Sequence, residues 1–401
     1  MHKWISCSRR SIVLFTTSLF FTSALSAAPM SAPLPDVSAK PATIPSAPML
    51  AAHGYLLMDA DSGRILAEKN MHKKLSPASL TKLMTLYIAS QAIKNGQIQL
   101  SDKVTVSKEA WSRGGSRLFL KQGAHVTVQN LINGIIVASG NDACVALAEF
   151  IAGNETNFAK LMNQNAAQLG MKDSHYVDST GLPRPNHYST PYDLGLLARA
   201  IIKEFPEDYA WYKQKWIKYN GIRQPNRNRL LWRDDSADGL KTGHTKAAGY
   251  CLIASAKRHG MRLISVVMGA PTDEARAQSS QALLNWGFRF YKTYTLFNAN
   301  TPISTPRVYF GENKITPMGT NSAVLVTIPS GSYDKLKANM QLAKTLTAPI
   351  EQGQRYGSLV IKLNGEIIKQ APIIALQDDP KGGLWTQMSD HVAKFFHGWF
   401  N

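Results

Sequence analysis

The chain has little of what several chemistries require. It holds three cysteines in 401 residues. Cys7 precedes the first apolar run, which leaves Cys144 and Cys251 beyond it. Two thiols cannot form a disulfide framework in a protein of this size, so both are expected to be free and buried. His53, His125, His175 and His187 show no metal-ligand spacing with nearby Cys, Asp or Glu, so they read as surface or structural residues. Arg113-Gly114-Gly115-Ser116-Arg117 is rich in glycine but lacks the pattern of a phosphate loop. It reads better as a loop near a pocket rim. No metal and no cofactor is implied.

Acidic charge is also scarce. Asp and Glu number 27 against 45 Lys and Arg, a formal net charge of +18. Such a balance suits a polyanionic partner, and the N-terminus narrows which one. Lys3, Arg9 and Arg10 precede an apolar run, Ile12 to Leu25, and then the small residues Ser26-Ala27-Ala28. That order describes a secretory signal peptide over 1–28. A retained anchor fits less well, because the run is short and broken by Thr16, Thr17 and Ser18. Export argues against a nucleic-acid partner and for an anionic cell envelope or lipid surface.

The length suggests two domains. Residues 29–49 are rich in Pro, Ala and Ser and read as a flexible leader. Gly54 to Asp59 and Arg64 to Glu68 are strand candidates around an Asp61-Ser62-Gly63 turn. The stretch Ser76 to Tyr87 opens a helix ending near Gly96 that is apolar on nearly every side (Leu80, Leu83, Met84, Leu86, Tyr87, Ile88), and so is expected in a core. Thr127 is a plausible cap for a helix that stops at Ser139-Gly140-Asn141-Asp142. Helices are expected over Ala143 to Ile151 and Glu155 to Leu169. Another opens at Thr190-Pro191-Tyr192-Asp193, with Asp193 read as a capping acid. Strands are expected at Leu240 to Gly243, Tyr250 to Ala256 and Leu263 to Gly269, followed by a helix from Glu274 to about Tyr294. Runs of strands and of helices without βαβ alternation indicate an α+β domain on an antiparallel sheet, over 50–297. Residues 298–380 carry short β-rich runs and an Asn364-Gly365 hairpin signal, a small all-β domain. In 381–401, Trp385, Met388, Val392, Phe395 and Trp399 follow helical spacing. Asp390 and Lys394 interrupt the apolar face, so this C-terminal amphipathic helix reads as lying in a membrane plane rather than crossing it. The other reading is a helix docked on its own protein.

Three short motifs then occur in order: Ser79-x-x-Lys82, Ser139-Gly140-Asn141 and Lys241-Thr242-Gly243. Ser-x-x-Lys alone is a common accident. Together the three make the set shared by class A β-lactamases and penicillin-binding proteins. Acyl transfer needs a nucleophile, a proton shuttle, an oxyanion hole and a grip on substrate. Ser79 is the candidate nucleophile and Lys82, its amine desolvated, the candidate base. Ser139 can pass a proton to the leaving amine. Asn141 offers an amide to the substrate or to Lys82, and Lys241 supplies positive charge. Thr242 can bind a carboxylate, and Gly243 lets a substrate lie close to the strand. The backbone N–H groups of Ser79 and His244 are the candidate oxyanion hole.

The segments Ser-Pro-Ala-Ser-Leu-Thr-Lys (76–82), Ser-Gly-Asn-Asp-Ala-Cys (139–144) and Lys-Thr-Gly-His-Thr (241–245) resemble low-molecular-mass penicillin-binding proteins of the D-alanyl-D-alanine carboxypeptidase type, penicillin-binding protein 5 or 6. The likeness continues through 220–224, 286–290, the β-rich domain and the terminal Phe-Phe-His-Gly-Trp-Phe (395–400). It implies a β-lactamase/transpeptidase-like domain that removes the terminal D-Ala from peptidoglycan stem peptides ending in D-Ala-D-Ala. The acyl-enzyme would form on Ser79, with β-lactam antibiotics as inhibitors acylating the same serine. It implies a place on the periplasmic face of the inner membrane, and it puts Arg227 near the pocket. Cys251, where such proteins often have Asn, and the long leader depart from the type. The rival readings are a DD-endopeptidase acting on cross-links, a β-lactamase, and a non-catalytic envelope-binding protein. No Glu lies between Glu155 and Glu204, which counts against the class A hydrolytic mechanism.

Overall fold

The computed structural model describes residues 44–399, with side chains through 392. The expected signal peptide, Cys7 and most of the leader lie outside the described residues. The end of the leader departs from expectation. Ile44, Ala47 and Leu50 pack against a core cluster, and Trp286 Nε1 donates to the Pro45 carbonyl at 3.2 Å. Residues 44–50 therefore pack on the first domain rather than forming a free leader.

A five-stranded antiparallel sheet organises the first part. Its strands are β1 (Gly54–Asp59), β2 (Ile65–Lys69), β3 (Ala237–Thr245), β4 (Gly249–Arg258) and β5 (Met261–Ala270), in the order β2-β1-β5-β4-β3. Side chains alternate between faces with period two. Leu56, Met58, Ile264, Val266 and Met268 enter one core, whereas Leu57, Leu263, Val267, Leu252 and Ala254 enter a second on the other side. A sheet buried on both faces needs strands apolar at consecutive positions, which is why Leu263 to Met268 reads as an almost unbroken apolar run.

The larger core is filled by helices: α1 (Lys82–Lys94), α2 (Asn141–Ala152), α3 (Glu155–Gln168) and α4 (Pro191–Glu204). Helix α1 is buried on nearly all sides, as its composition requires. Thr127 caps its helix by accepting from Asn130 N, and Thr190 caps α4 by accepting from Asp193 N. Asp193 itself does not cap: its carboxylate accepts from Asp173 N and Ser174 Oγ and ties the preceding loop to the helix.

Helix α5 (Asp273–Phe290) covers the second face. The expected helix to Tyr294 ends four residues sooner. Tyr291–Phe297 is a strand that pairs antiparallel with Val324–Pro329. β-Branched and aromatic residues there prefer a pleated surface to a helical turn. The β-rich part has its own core, with Ile328, Met318 and Ile373 fully buried, around a sheet that includes Arg355–Leu363 and Glu366–Ala375. The hairpin at Asn364-Gly365 places both residues at positive φ, +52° and +90°, which is what an Asn-Gly turn of this kind demands. Across the seam with the first domain, Thr293 Oγ1 donates to Asp59 Oδ2 at 2.7 Å. Ser62 Oγ lies 2.6 Å from Thr327 Oγ1. Helix α6 (Leu384–Trp399) ends the described chain. Its Asp390 is buried, accepting from Phe310 N at 2.6 Å and Arg307 at 2.8 Å. Leu384, Trp385, Met388 and Val392 are exposed. Phe395 and Trp399 lie outside the described side chains. Among the described residues no helix is long and apolar enough to cross a membrane.

Candidate active site

Ser79 does not lie in an α-helix, as its spacing to Lys82 suggested. It lies in a 3-10 turn, Ala78–Thr81, that runs directly into α1. The tighter turn eclipses side chains three residues apart, so Lys82 Nζ lies 2.9 Å from Ser79 Oγ. Lys82 is fully buried. It also donates to the Thr180 carbonyl at 2.7 Å.

Ser139 follows a π-helical turn, Gly134–Ala138, and has a left-handed backbone, φ +56° and ψ +36°. For a residue with a side chain this conformation costs about 1 kcal/mol, and such strain gathers at functional sites. Lys241 Nζ donates to Ser139 Oγ at 2.9 Å and to the Thr242 carbonyl at 3.1 Å. Strand β3 is the free edge of the sheet and runs past the Ser79 turn. A Cβ on Gly243 would sit 3.0 Å from the Pro77 carbonyl oxygen and 3.2 Å from Ser79 N. A free edge beside a nucleophile offers an extended peptide a line of backbone hydrogen-bonding groups.

These elements enclose a cleft of about 470 Å³. Ser79, Ser139, Thr242, Gly243, His244 and Arg227 line it, so six of the nine expected residues share one wall system. Lys82 and Lys241 sit beneath, bonded to the two serines. Asn141 is also buried. Its Nδ2 donates to the Gly114 carbonyl at 2.6 Å, and its Oδ1 has no hydrogen-bond partner. The 113–117 loop forms the rim, as its composition suggested: Arg227 Nη1 donates to Ser116 Oγ at 2.6 Å. A larger cavity of about 560 Å³, lined by Arg258, Phe288, Arg289 and Lys292 among others, contains none of the motif residues and no paired nucleophile.

Burial lowers the pKa of Lys82, and the positive charge of Arg227 lowers it further. Burial holds Lys241 well below the ordinary lysine value, with Lys82 and Arg227 acting the same way. Neither amine forms an ion pair among the described residues. Cys144, beside them, is pushed up to about 12 by burial, so it is a neutral thiol that contributes no countercharge at neutral pH. Two buried amines without a carboxylate partner cannot both stay charged at low cost. Lys82, with Ser79 Oγ in reach, is then set up to accept a proton.

Several residues of the site carried no readable motif. Thr180 acts through its carbonyl, and backbone groups leave no side-chain signature. Its turn is held by Asp178, which accepts from Thr180 N at 2.8 Å, Thr180 Oγ1 at 2.8 Å and Gly181 N at 2.7 Å. His187 Nδ1 lies 3.6 Å from Asp178, and its Nε2 lies 2.9 Å from Thr81 Oγ1. His187 is thus buried and structural. Burial alone would raise the Asp178 pKa. His187 and the Thr180 hydrogen bonds outweigh that and hold the carboxyl well below the usual range. Arg276, from α5, donates to the Gly243 carbonyl at 3.0 Å and pairs with Asp273. Ser116, Arg229 and Tyr250 complete the walls.

Comparison with known proteins bears on this geometry. The profile described as D-alanyl-D-alanine carboxypeptidase, peptidase S11, matches residues 41–272. That described as penicillin-binding protein 5, C-terminal domain, matches 291–381. The chain is 46% identical over 362 residues to the D-alanyl-D-alanine carboxypeptidase DacC of Escherichia coli K12, across 88% of this chain and 90% of that protein. It is 41% identical over 390 residues to DacA of the same organism, across 95% and 97%. Penicillin-binding protein 5 of Haemophilus influenzae superposes with a TM-score of 0.81 at 42% identity, covering 84% of this chain and 99% of that one. The ampicillin-bound form of penicillin-binding protein D2 from Listeria monocytogenes superposes at 0.56 with 32% identity, over 60% and 98%.

Proposed function

The chain belongs to the D-alanyl-D-alanine carboxypeptidases of the peptidase S11 family, serine hydrolases of the penicillin-binding protein 5 and 6 type, and from that premise we propose which of its residues carry each step. The observation that supports the assignment best is the meeting of Ser79, Lys82, Ser139 and Lys241 beneath one cleft, in two amine–hydroxyl pairs of 2.9 Å each.

A stem peptide ending in D-Ala-D-Ala lies along the free edge of β3, antiparallel to it, with its C-terminal carboxylate toward Thr242 and the Arg276 end of the cleft. Neutral Lys82 takes the proton of Ser79 Oγ as that oxygen attacks the penultimate D-Ala carbonyl. The backbone N–H groups of Ser79 and His244 receive the developing oxyanion. Collapse breaks the peptide bond, and the proton held by Lys82 passes by way of Ser139, which Lys241 holds in place, to the departing D-Ala amine. The acyl ester on Ser79 is then attacked by water, whose proton Lys82 accepts and returns to Ser79 Oγ as the ester bond breaks, and the shortened peptide leaves. A β-lactam follows the first half of this path. Asn141 and Arg227 position the substrate from the rim side.

The placement is likewise a proposal: an exported chain, processed near residue 28, working at the periplasmic face of the inner membrane with 382–401 lying on the lipid surface. The order of basic, apolar and small residues at the N-terminus and the exposed apolar side chains of α6 support it.

The direct test is to incubate the purified chain with a soluble pentapeptide ending in D-Ala-D-Ala and to measure free D-Ala. Stoichiometric release, blocked by prior penicillin treatment that adds one adduct to the peptide containing Ser79, is expected. An adduct elsewhere would refute the assignment.

A further inference from the structure

Near the active-site cleft lies an aromatic surface that the acyl-transfer steps do not use. The hairpin Trp216–Tyr219/Ile222–Pro225 projects beside it. Trp216 and Trp232 meet edge to face, with ring centroids 5.2 Å apart and planes at 78°. They remain 43% and 42% exposed, beside Ile222 at 41%. Indoles are among the costliest side chains to leave in water, and contiguous exposed apolar surface rimmed by polar groups marks a binding site.

The platform is rigid. The Arg223 guanidinium lies 4.0 Å from the Trp216 ring centroid, and Lys215 Nζ lies 5.3 Å from that of Trp232. It is also joined to the cleft. Asn226 lines the cleft and holds the hairpin base, with its N donating to the Lys215 carbonyl at 2.8 Å and its Nδ2 to the Gln214 carbonyl at 2.9 Å. Gln224 donates to the Arg117 carbonyl at 3.2 Å, which seats the hairpin on the rim loop. Trp232 follows Arg229, another cleft residue, by three positions.

From this we infer that Trp216 and Trp232 form a subsite for the glycan part of the substrate, packing their exposed parts against the apolar faces of its pyranose rings while the attached stem peptide occupies the cleft. The inference rests on the carboxypeptidase reading and extends it. Pyranose rings present axial C–H groups on one face and hydroxyls around the edge. The exposed parts of the two indoles, with Arg223 and Lys215 lying over the rings, match both parts, by apolar contact and by hydrogen bonding. A protein partner fits less well. The two rings expose on the order of 100 Å² each, against the roughly 800 Å² per partner of a stable protein interface.

The test compares D-Ala release from a free pentapeptide with release from the same pentapeptide carried on its disaccharide. The double variant Trp216→Ala/Trp232→Ala should lose about tenfold in kcat/KM on the glycan-linked substrate, mostly through KM, as expected for the loss of an apolar contact. Its kcat/KM on the free pentapeptide should be unchanged, and Trp216→Phe should restore most of the difference. No change on the glycan-linked substrate, or loss confined to the free peptide, overturns the subsite. If the double variant loses both activities, penicillin-acylated wild-type protein decides by nuclear magnetic resonance. Titration with an N-acetylglucosamine tetramer should move the Trp216 and Trp232 indole N–H signals, and their failure to move overturns the proposal. Wild-type protein that binds the tetramer yet leaves the free pentapeptide intact would overturn the carboxypeptidase reading while keeping the subsite.

Discussion

The Thr180 carbonyl accepts a hydrogen bond from Lys82 Nζ at 2.7 Å. A neutral amine has two N–H groups and one lone pair. With one N–H committed to Thr180, the lone pair is free to turn to Ser79 Oγ, 2.9 Å away. A backbone carbonyl thus orients the candidate base, and the turn that carries it belongs to the site although no motif marks it.

Replacing the base tests the first step. Lys82→Ala should slow penicillin acylation of Ser79 by about 10²–10⁴-fold, the usual contribution of a positioned base. Stopped-flow or mass-spectrometric labelling measures it. Near-normal labelling of that variant would remove Lys82 from the mechanism.

The charge near that base sets its pH range. Acylation needs Lys82 neutral, so its rate should rise with pH through the lysine's depressed pKa, below the ordinary 10.5. Arg227 helps depress it. Arg227→Gln removes a positive charge, makes protonation easier and raises the pKa, so the ascending limb of the acylation profile should move to higher pH. A limb that stays put, or moves to lower pH, contradicts the coupling.

The support under Thr180 is testable separately. Asp178→Ala frees the turn, and kcat should fall by about tenfold or more while KM changes less, because the base and not the binding edge is disturbed. Asp178 also carries a stability signature. Its folded pKa lies below the unfolded value, so its contribution is complete above the ordinary aspartate pKa, about 4, and is lost as pH falls toward the folded value. The Tm gap between wild type and Asp178→Ala should therefore narrow below about pH 4. A gap independent of pH would mean that the carboxylate charge is not what holds the turn.

Gly181 closes the same turn at φ +81°, and a Cβ there would lie 1.8 Å from the Ala78 carbonyl oxygen. That backbone borders Ser79. Gly181→Ala should cost at least about 1–2 kcal/mol in stability and depress acylation together with it. Thermal melts and penicillin labelling on one preparation show both. Full labelling with a lowered Tm would mean that the turn and the nucleophile are not linked.

For the terminal helix, the full chain should co-sediment with vesicles containing anionic lipid, and a chain lacking 382–401 should not, while still releasing D-Ala from soluble peptide. Continued sedimentation of the shortened chain would place the lipid contact elsewhere.

Much of this site was legible before folding, because side-chain chemistry at fixed spacing survives as text. Ser79 with Lys82, Ser139 and Lys241 could be named from type and order. The sheet strands could be named from paired apolar runs such as Leu263 to Gly269. Thr180 could not, since a carbonyl oxygen is common to every residue. Arg276 could not, because α5 reaches the cleft only after the sheet is assembled. The helical turn at Ser79 was read as α where the chain tightens to 3-10. Tyr291 to Tyr294 were read as helix because pairing with Val324–Pro329 is a long-range event. Asp193 looked like a cap by position, yet its carboxylate ties a loop from Asp173 instead.

The hydroxyls and carboxylate that meet across the seam, Asp59 with Thr293 and Ser62 with Thr327, tie the β-rich part to the sheet through side chains as well as through the chain itself. Moving one part against the other would break both contacts, each worth about 1 kcal/mol.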